Sequence, residues 1–358
     1  MKSVADRQPL VSVCVPTYNG AEFLRQCLAS LQAQTFADFE VLIVDDDSSD
    51  DTLAIAEEFA RVDPRFRIHK NPQRLGLVGN WNYCIKLARG EWIKFLFQDD
   101  WLENHCLERL LAACVQHGCA FGFCHRDVVF DSSVSAEMRN FFQYHQTYLD
   151  EVYGDKDGFL NAEAFTRVAA AKFDHNPIGE PTVVLIQRRA FEEFGGFLPA
   201  MVQNCDTEFW MRLGSNTGVA HVAERLATFR VHGRSTTSKN VARRDYRAWY
   251  MDPLIQRYVV MNDDRYARLR AELNCSTTSL INWRRLVWSA NHARQLAFAA
   301  GSTGELKKDW NDVAAIYPDL EQLARVGKML EIGRNGASLL RKFRFLKKNS
   351  RSSTNQAL

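Results

Sequence analysis

The stretch FEVLIVDDDSSDD, residues 39–51, decides how this chain reads. Its first six residues are almost wholly apolar, which suits a strand buried on both faces, and such strands belong to parallel sheets covered by helices. The run ends in three adjacent carboxylates, Asp45, Asp46 and Asp47, whose repulsion has to be offset by hydrogen-bond donors or a cation. Ser48, Ser49 and Asp50 follow, and these are helix-capping residue types, so a helix is expected to begin directly after them.

Working outward, the same alternation repeats. VSVCV (11–15), FRIH (66–69), EWIKFLF (91–97) and AFGFCHRDVVF (120–130) read as strands, while 22–34, 52–61, 78–88 and 103–117 carry apolar residues at helical spacing. The expected fold class is α/β, a Rossmann-like, mostly parallel sheet flanked by helices, with ligands beyond the carboxyl ends of the strands. From 131 to 176 the pattern weakens, with Phe141, Phe142, Tyr144, Tyr148 and Tyr153 among polar residues. Residues 182–189 then read as a buried strand, 206–213 as a short helix and 219–232 as two strands. After Ser238 the pattern is helical, with Trp249, Trp283, Trp288 and Trp310 as expected packing anchors. The expected organisation is one unit over 1–238, with halves 8–130 and 131–238, and a helical C-terminal extension over 239–358.

With 46% hydrophobic and 25% charged residues, the 358-residue chain excludes disorder, collagen and coiled coil as whole-chain descriptions. No apolar run approaches the ~20 residues of a membrane span, and the start lacks a secretory h-region. The nine Cys are odd in number and form no C-x-x-C pair, so a reduced, cytoplasmic compartment is expected. His117, Cys119, Cys124 and His125 lack the spacing of a closed zinc site. The net charge is +2, but residues 332–358 hold seven bases and no acid, leaving −5 on the rest. That balance argues against a nucleic-acid groove. In the same tail Leu339, Leu340, Phe343 and Leu346 recur at helical spacing. Two readings stay open: a basic amphipathic helix on an anionic membrane surface, peripheral on the cytoplasmic face, or a solvated helix packed on the body.

Three strand-end loops carry chemistry: PTYNG (16–20), DDDSSDD (45–51) and QDDW (98–101). Each alone is an ordinary turn sequence. On one edge of one sheet they converge, and neighbouring Asp residues there can bind a hard divalent ion with one carboxylate and a hydroxyl with the other. Diphosphate oxygens would complete the shell, which fits Mn²⁺ or Mg²⁺.

These residues resemble a glycosyltransferase of family 2, with the fold called GT-A. The resemblance is carried by VSVCVPTYNG, SLQAQTFADFEVLIVDDDSSDDT and NPQRLGLVGNWNYCIKLARGEWIKFLFQDDWL. It resumes with NPIGEPTVVLIQRRAFEEFGGF, DTEFWMRL and FRVHGRSTT. It implies an inverting, metal-dependent enzyme that moves one sugar from a nucleotide-sugar donor, UDP-linked by preference, to a hydroxyl of a saccharide or lipid-linked glycan. Surface polysaccharide or glycoconjugate synthesis would be the setting. It further implies that Thr17 and Tyr18, with Pro16 and Asn19 in the same donor-binding loop, hold base and ribose, and that Asp46 accepts from the base N3–H. Asp99 would face the ribose or donor sugar, Asp100 would bind the metal, and His232 would ligate the metal or donate to phosphate. Asp206 would be the general base, with a bare helix cap as the alternative, and Glu180 and the aromatics of 141–153 would line the acceptor pocket. One departure is Cys205, where many relatives carry Glu. No Trp follows an Arg, so the Q-x-x-R-W motif of processive synthases is absent and single addition is expected. Two other classes use similar residues: an inactive relative that only binds nucleotide sugar, and a phosphoacceptor regulator with an acidic pocket.

Overall fold

Four apolar runs pair in parallel to build the first half of the sheet. β1 (Val11–Thr17), β2 (Phe39–Asp45), β3 (Phe66–Lys70) and β4 (Trp92–Phe95) lie in the order β3–β2–β1–β4. All seven positions of β1 and of β2 are buried, as strands covered on both faces require. Helices α1 (Ala21–Gln32), α2 (Thr52–Val62) and α3 (Gly76–Leu87) connect them. The computed structural model describes residues 8–275 and 279–332.

The second half adds β5 (Trp101–Leu102), α4 (Cys106–His117), β6 (Phe121–Phe130), α5 (Ala136–Tyr153), β7 (Gly158–Leu160) and α6 (Ala162–Ala171). Next come β8 (Val184–Gln187), α7 (Arg188–Phe194), α8 (Cys205–Thr217) and β9 (Val219–Val231). The sheet continues β4–β8–β6–β9–β5, with β7 beside β9. β8 runs antiparallel between β4 and β6, whereas β6 and β9 are parallel. The chain then turns helical: α9 (Thr236–Arg243), a π-helical turn at Arg247–Met251, α10 (Asp252–Asn262), α11 (Ala267–Cys275), α12 (Ser279–Phe298), α13 (Gly304–Ile316) and α14 (Asp319–Ile332). No described helix is long and apolar enough to cross a membrane.

Several expectations need correction. Residues 219–231 form one strand, because β9 bulges at Ala223 to Arg225 and resumes pairing with β6 beyond it; the exposed Glu224–Arg225 pair imitates a turn. Only 184–187 of the expected 182–189 strand is extended, since Pro181 opens a 3₁₀ turn and a helix begins at Arg188. The weak region contains the 18-residue α5, whose buried Met138, Phe142, His145 and Leu149 keep helical spacing while exposed Phe141 and Tyr144 blur it. Trp310 is a core anchor, but Trp249 and Trp288 face solvent. The four zinc candidates go separate ways: His117 stacks on Phe159, Cys119 and Cys124 face the carbonyls of Phe121 and Val183, and His125 meets Asp150 and His221. The tail readings at Leu339 to Leu346 lie outside the described residues.

A buried ion pair fastens the extension to the sheet unit. Arg212 and Glu208, one turn apart on α8, are both wholly buried and paired through Nε at 2.8 Å and Nη2 at 3.0 Å. The remaining guanidinium donors go to the carbonyls of Phe194, Gly195 and Gly196, and the Tyr266 hydroxyl, just before α11, donates to Glu208. Arg212→Met strands the Glu208 carboxylate in the core and should cost about 3–5 kcal/mol, whereas Glu208→Leu combined with Arg212→Met should recover much of it. Urea unfolding checks this, and a single-variant loss below about 1 kcal/mol would mean the pair is not desolvated as described.

Candidate active site at the strand ends

The loops after β1, β2 and β4 border an open cleft of about 460 Å³. They are stitched to one another. The Asn19 N–H donates to Ser48 Oγ at 2.9 Å, the Gly20 N–H to Thr52 Oγ1 at 2.8 Å, and the Ala21 N–H to Asp50 Oδ2 at 3.1 Å. The first N–H groups of α1 are thus satisfied by the second loop. Asp50 also accepts from the Thr52 N–H, so its expected capping role serves two helix starts. Across the cleft edge Tyr18 and Gln98 exchange backbone–amide hydrogen bonds at 2.9 and 3.2 Å. A Cβ at Gly20 would lie 2.1 Å from Gln98 Oε1, which is why this turn takes glycine.

Counting donors on each acid sorts their roles. Asp45 is fully buried and accepts from Thr17 Oγ1, Ser48 N–H and Ser48 Oγ. Asp46 accepts from Asn71 Nδ2 at 3.0 Å and from the N–H groups of Leu75 and Gly76 at 2.6 and 2.9 Å. A carboxylate has about four acceptor sites, so Asp46, which lines the cleft, keeps one for a ligand. Asp100 is turned into the core: Thr182 Oγ1 donates to one oxygen at 2.5 Å and the Arg230 N–H to the other at 2.9 Å. Burial, then the neighbouring Asp99 carboxylate, push its carboxyl well above the ordinary carboxylate range. The expected metal ligand therefore does not face the site.

Asp99 does. It lines the cleft, and its side-chain oxygen Oδ2 lies 3.0 Å from His232 Nε2. The His232 ring is held against Phe23 at 4.8 Å, and its Nδ1 is buried with no partner among the described residues. One carboxylate and one imidazole, with room for phosphate oxygens and water, fit a six-coordinate Mn²⁺ or Mg²⁺. No trio of His, Cys, Asp or Glu among the described residues makes a protein-only cluster.

On another side of the cleft stands Asp206, in the first turn of α8. It accepts from the Thr207 N–H at 2.6 Å and Asn176 Nδ2 at 3.2 Å. Burial raises its carboxyl to about 7, with the nearby Glu180 carboxylate adding to the rise. Its oxygens bond to their own helix start only through the adjacent Thr207, and Asn204 occupies the cap position. Glu180 also lines the cleft and is gripped by the buried Arg126. The exposed aromatics Phe141 and Tyr144 are not among the lining residues, unlike Phe229.

The structure thus gathers Pro16, Thr17, Tyr18, Asn19, Asp46, Asp99, Glu180, Asp206 and His232 around one cleft, and leaves out Asp100. It also adds what the sequence reading missed. Arg74 covers the Tyr18 ring at 3.9 Å, and Arg234 and Lys239 line the mouth. All three lie in or beside the quoted motifs, so their charge was the available signal. Asp252 had none: its buried carboxylate accepts from the N–H groups of Val202, Gln203 and Asn204, fixing the loop that enters α8 from some fifty residues away.

Comparison with known proteins bears on the family and the fold. The model of Glycosyl transferase family 2 matches residues 12–195. An uncharacterised protein of Mycobacterium tuberculosis is 33% identical over 242 residues, 68% of this chain and 73% of that protein. Two further relatives match over shorter stretches, where the chain spans 30% and 34% of their length. S. aureus TarS, solved with UDP-GlcNAc, superposes with a TM-score of 0.55 at 16% identity, over 87% of this chain and 82% of that one. The mannosyltransferase PcManGT from Pyrobaculum calidifontis, solved with GDP-Man and Mn²⁺, gives 0.51 at 18% identity over 89% and 84%. The fold is GT-A, as expected.

The two acids of QDDW should separate cleanly. Asp99→Asn should leave the melting temperature near wild type and abolish the strengthening of UDP binding by Mn²⁺. Asp100→Ala should keep that response but lose about 1–3 kcal/mol of stability, because the Arg230 N–H and the Thr182 hydroxyl then lose their shared buried acceptor. Calorimetric Mn²⁺ titrations with UDP, beside thermal melts, check both; a normal response in Asp99→Asn would return the metal to Asp100.

Proposed function

Because the chain belongs to glycosyl transferase family 2, we propose that it is an inverting, metal-dependent transferase acting on a UDP-sugar. The acceptor is a hydroxyl of a saccharide or lipid-linked glycan, and one sugar is added per encounter. The observation that carries the reading is the shared cleft of Asp206, the Asp99–His232 pair and the acidic Asp46.

In this reading the base stacks by Tyr18 under the Arg74 guanidinium, and its N3–H donates to the open acceptor site of Asp46. Arg74, Arg234 and Lys239 supply positive charge along the path of the diphosphate. A divalent ion held by Asp99 and His232 would offset negative charge on the leaving diphosphate. Asp206 removes the acceptor hydroxyl proton as that oxygen attacks the anomeric carbon opposite the breaking bond to the diphosphate oxygen. No protein acid is needed for a leaving group already so stable. A role in surface polysaccharide or glycoconjugate synthesis, on the cytoplasmic side, is part of the same proposal and rests on the sequence reading of acceptor class and cysteine usage.

Two measurements test the base. Asp206→Asn keeps size and an acceptor oxygen, so UDP affinity and fold should survive while kcat falls by about 10²- to 10⁴-fold. In the wild type, rate should rise with pH through about 7, since a carboxyl held up by burial must lose its proton before it can accept one. Near-wild-type turnover in the variant would move the base to Glu180.

A further inference from the structure

We propose that the exposed aromatic face of the helical extension, built on Trp249, Tyr250 and Trp288, docks the protein on an anionic lipid bilayer. Trp249 is 53% exposed and Trp288 56%. Trp288 and Tyr250 form one cluster: Trp288 stacks on His292 at 5.0 Å, and Tyr250 meets the same imidazole edge-on at 5.5 Å, with the exposed Trp249 the next residue in the chain. Exposed apolar patches of this sort mark contact surfaces, and Trp and Tyr are the side chains that settle at the headgroup level of a bilayer.

The charges around the cluster select the partner. Arg284 and Arg285 share the exposed side of α12 with Trp288, one turn earlier, and Arg243 and Arg244 end α9 just before Trp249. None of the four forms an ion pair among the described residues. Among the acids on neighbouring elements, Asp309 pairs with Arg247 and Asp312 with Lys308, while Asp245 accepts from the Ala248 N–H, an uncharged donor. A second copy of the chain would bring arginine against arginine, whereas anionic headgroups would neutralise all four. Helix α14 runs antiparallel to α12, since Glu321 pairs with Arg294 while Gly327 touches Val287 and Asn291. A Cβ at Gly327 would lie 2.5 Å from the Asn291 side chain, so the glycine sets this close crossing. Beyond it α14 heads toward the Arg284 end of α12, and the 26 residues that follow Ile332 carry seven bases and no acid. Those 26 residues, outside the described structure, carry the same sign of charge as the four arginines.

The position of the patch also suits a membrane-bound acceptor. Ser235, Thr236, Thr237 and Lys239 line the cleft, and Arg243 ends the same eight-residue helix about 12 Å away. Docking through Trp249 would bring the cleft mouth close to the headgroups. This last point rests on the transferase reading; the docking itself does not.

The test is flotation of the full chain with vesicles of phosphatidylcholine containing about 30% phosphatidylglycerol, against phosphatidylcholine alone, at low and moderate salt. Wild type should float with the anionic vesicles only, and less at higher salt. Trp249→Ser with Trp288→Ser should weaken binding by about tenfold or more, and Arg284→Gln with Arg285→Gln by about 25-fold, roughly fivefold per base. Both double variants should keep the wild-type melting temperature and UDP affinity, which separates failure of docking from failure of the active-site reading. Full vesicle binding by the Trp variant, loss of binding only on deleting residues 333–358, or no flotation of the wild type at low salt would each overturn the proposal. So would a concentration-dependent dimer in sedimentation that the Trp variant abolishes, because the patch would then be a contact between copies.

Discussion

The edge of the sheet where the strands end is crowded with carboxylates, and the need to supply each with donors shapes everything around it. Asp45, Asp46, Asp99, Asp100, Glu180 and Asp206 come from distant parts of the chain. Like charges in one cleft repel, and a buried carboxylate without donors is costly. Nearly every loop at this edge delivers a donor. Ser48 and Thr17 serve Asp45, the 71–76 segment serves Asp46, Thr182 and Arg230 serve Asp100, and Arg126 serves Glu180. Among the described residues Asp99 has only His232. The acid with the most unused acceptor capacity thus lines the cleft, beside Asp46, Glu180 and Asp206.

The same accounting explains why a helical extension belongs to the catalytic unit. Asp252, at the start of α10, collects the three N–H groups that precede α8, and so fixes where that helix begins and where Asp206 points. Tyr266, from the loop before α11, reaches the buried Glu208 one turn further along the same helix. An inserted or shifted residue between 202 and 208 would break both sets of contacts at once. The extension therefore backs the helix that carries Asp206, the proposed base, although no described residue after Lys239 lines the cleft.

The donor side was legible because its signals are local. A strand, a turn and a helix recur within about 25 residues each, and PTYN, DDDS and QDDW sit at strand ends as period and composition alone require. What could not be read was direction. Two adjacent Asp on a turn point to opposite sides, and only the partners Thr182 and Arg230, some 80 and 130 residues away, say that Asp100 is the inward one. The same holds for α5, where aromatics on two faces masked the period, and for β9, where an exposed bulge looked like a break. The family match ends at 195, before Asp206 and His232. Their place at the cleft depends on long-range geometry that sequence spacing does not encode.

Three buried acids show how environment turns one functional group to different uses. Burial works against charge on Glu40, but donors from Ser12, Arg89 and Arg67 outweigh it and hold its carboxyl below the ordinary value, so it stays a fixed anion under β1. Asp252 accepts from three backbone N–H groups with the Arg247 charge nearby, and burial lifts it to about 6 despite them. Asp206 accepts from the Thr207 N–H and hydroxyl and from the Asn176 amide, all uncharged, and burial carries it to about 7. The order follows the supply of cationic partners rather than the number of donors. A general base near neutral pH needs a carboxylate that water and guanidinium groups do not stabilise too well. Withholding an arginine from Asp206, while Arg126 is given to Glu180 beside it, is what suits Asp206 to the role of base proposed for it.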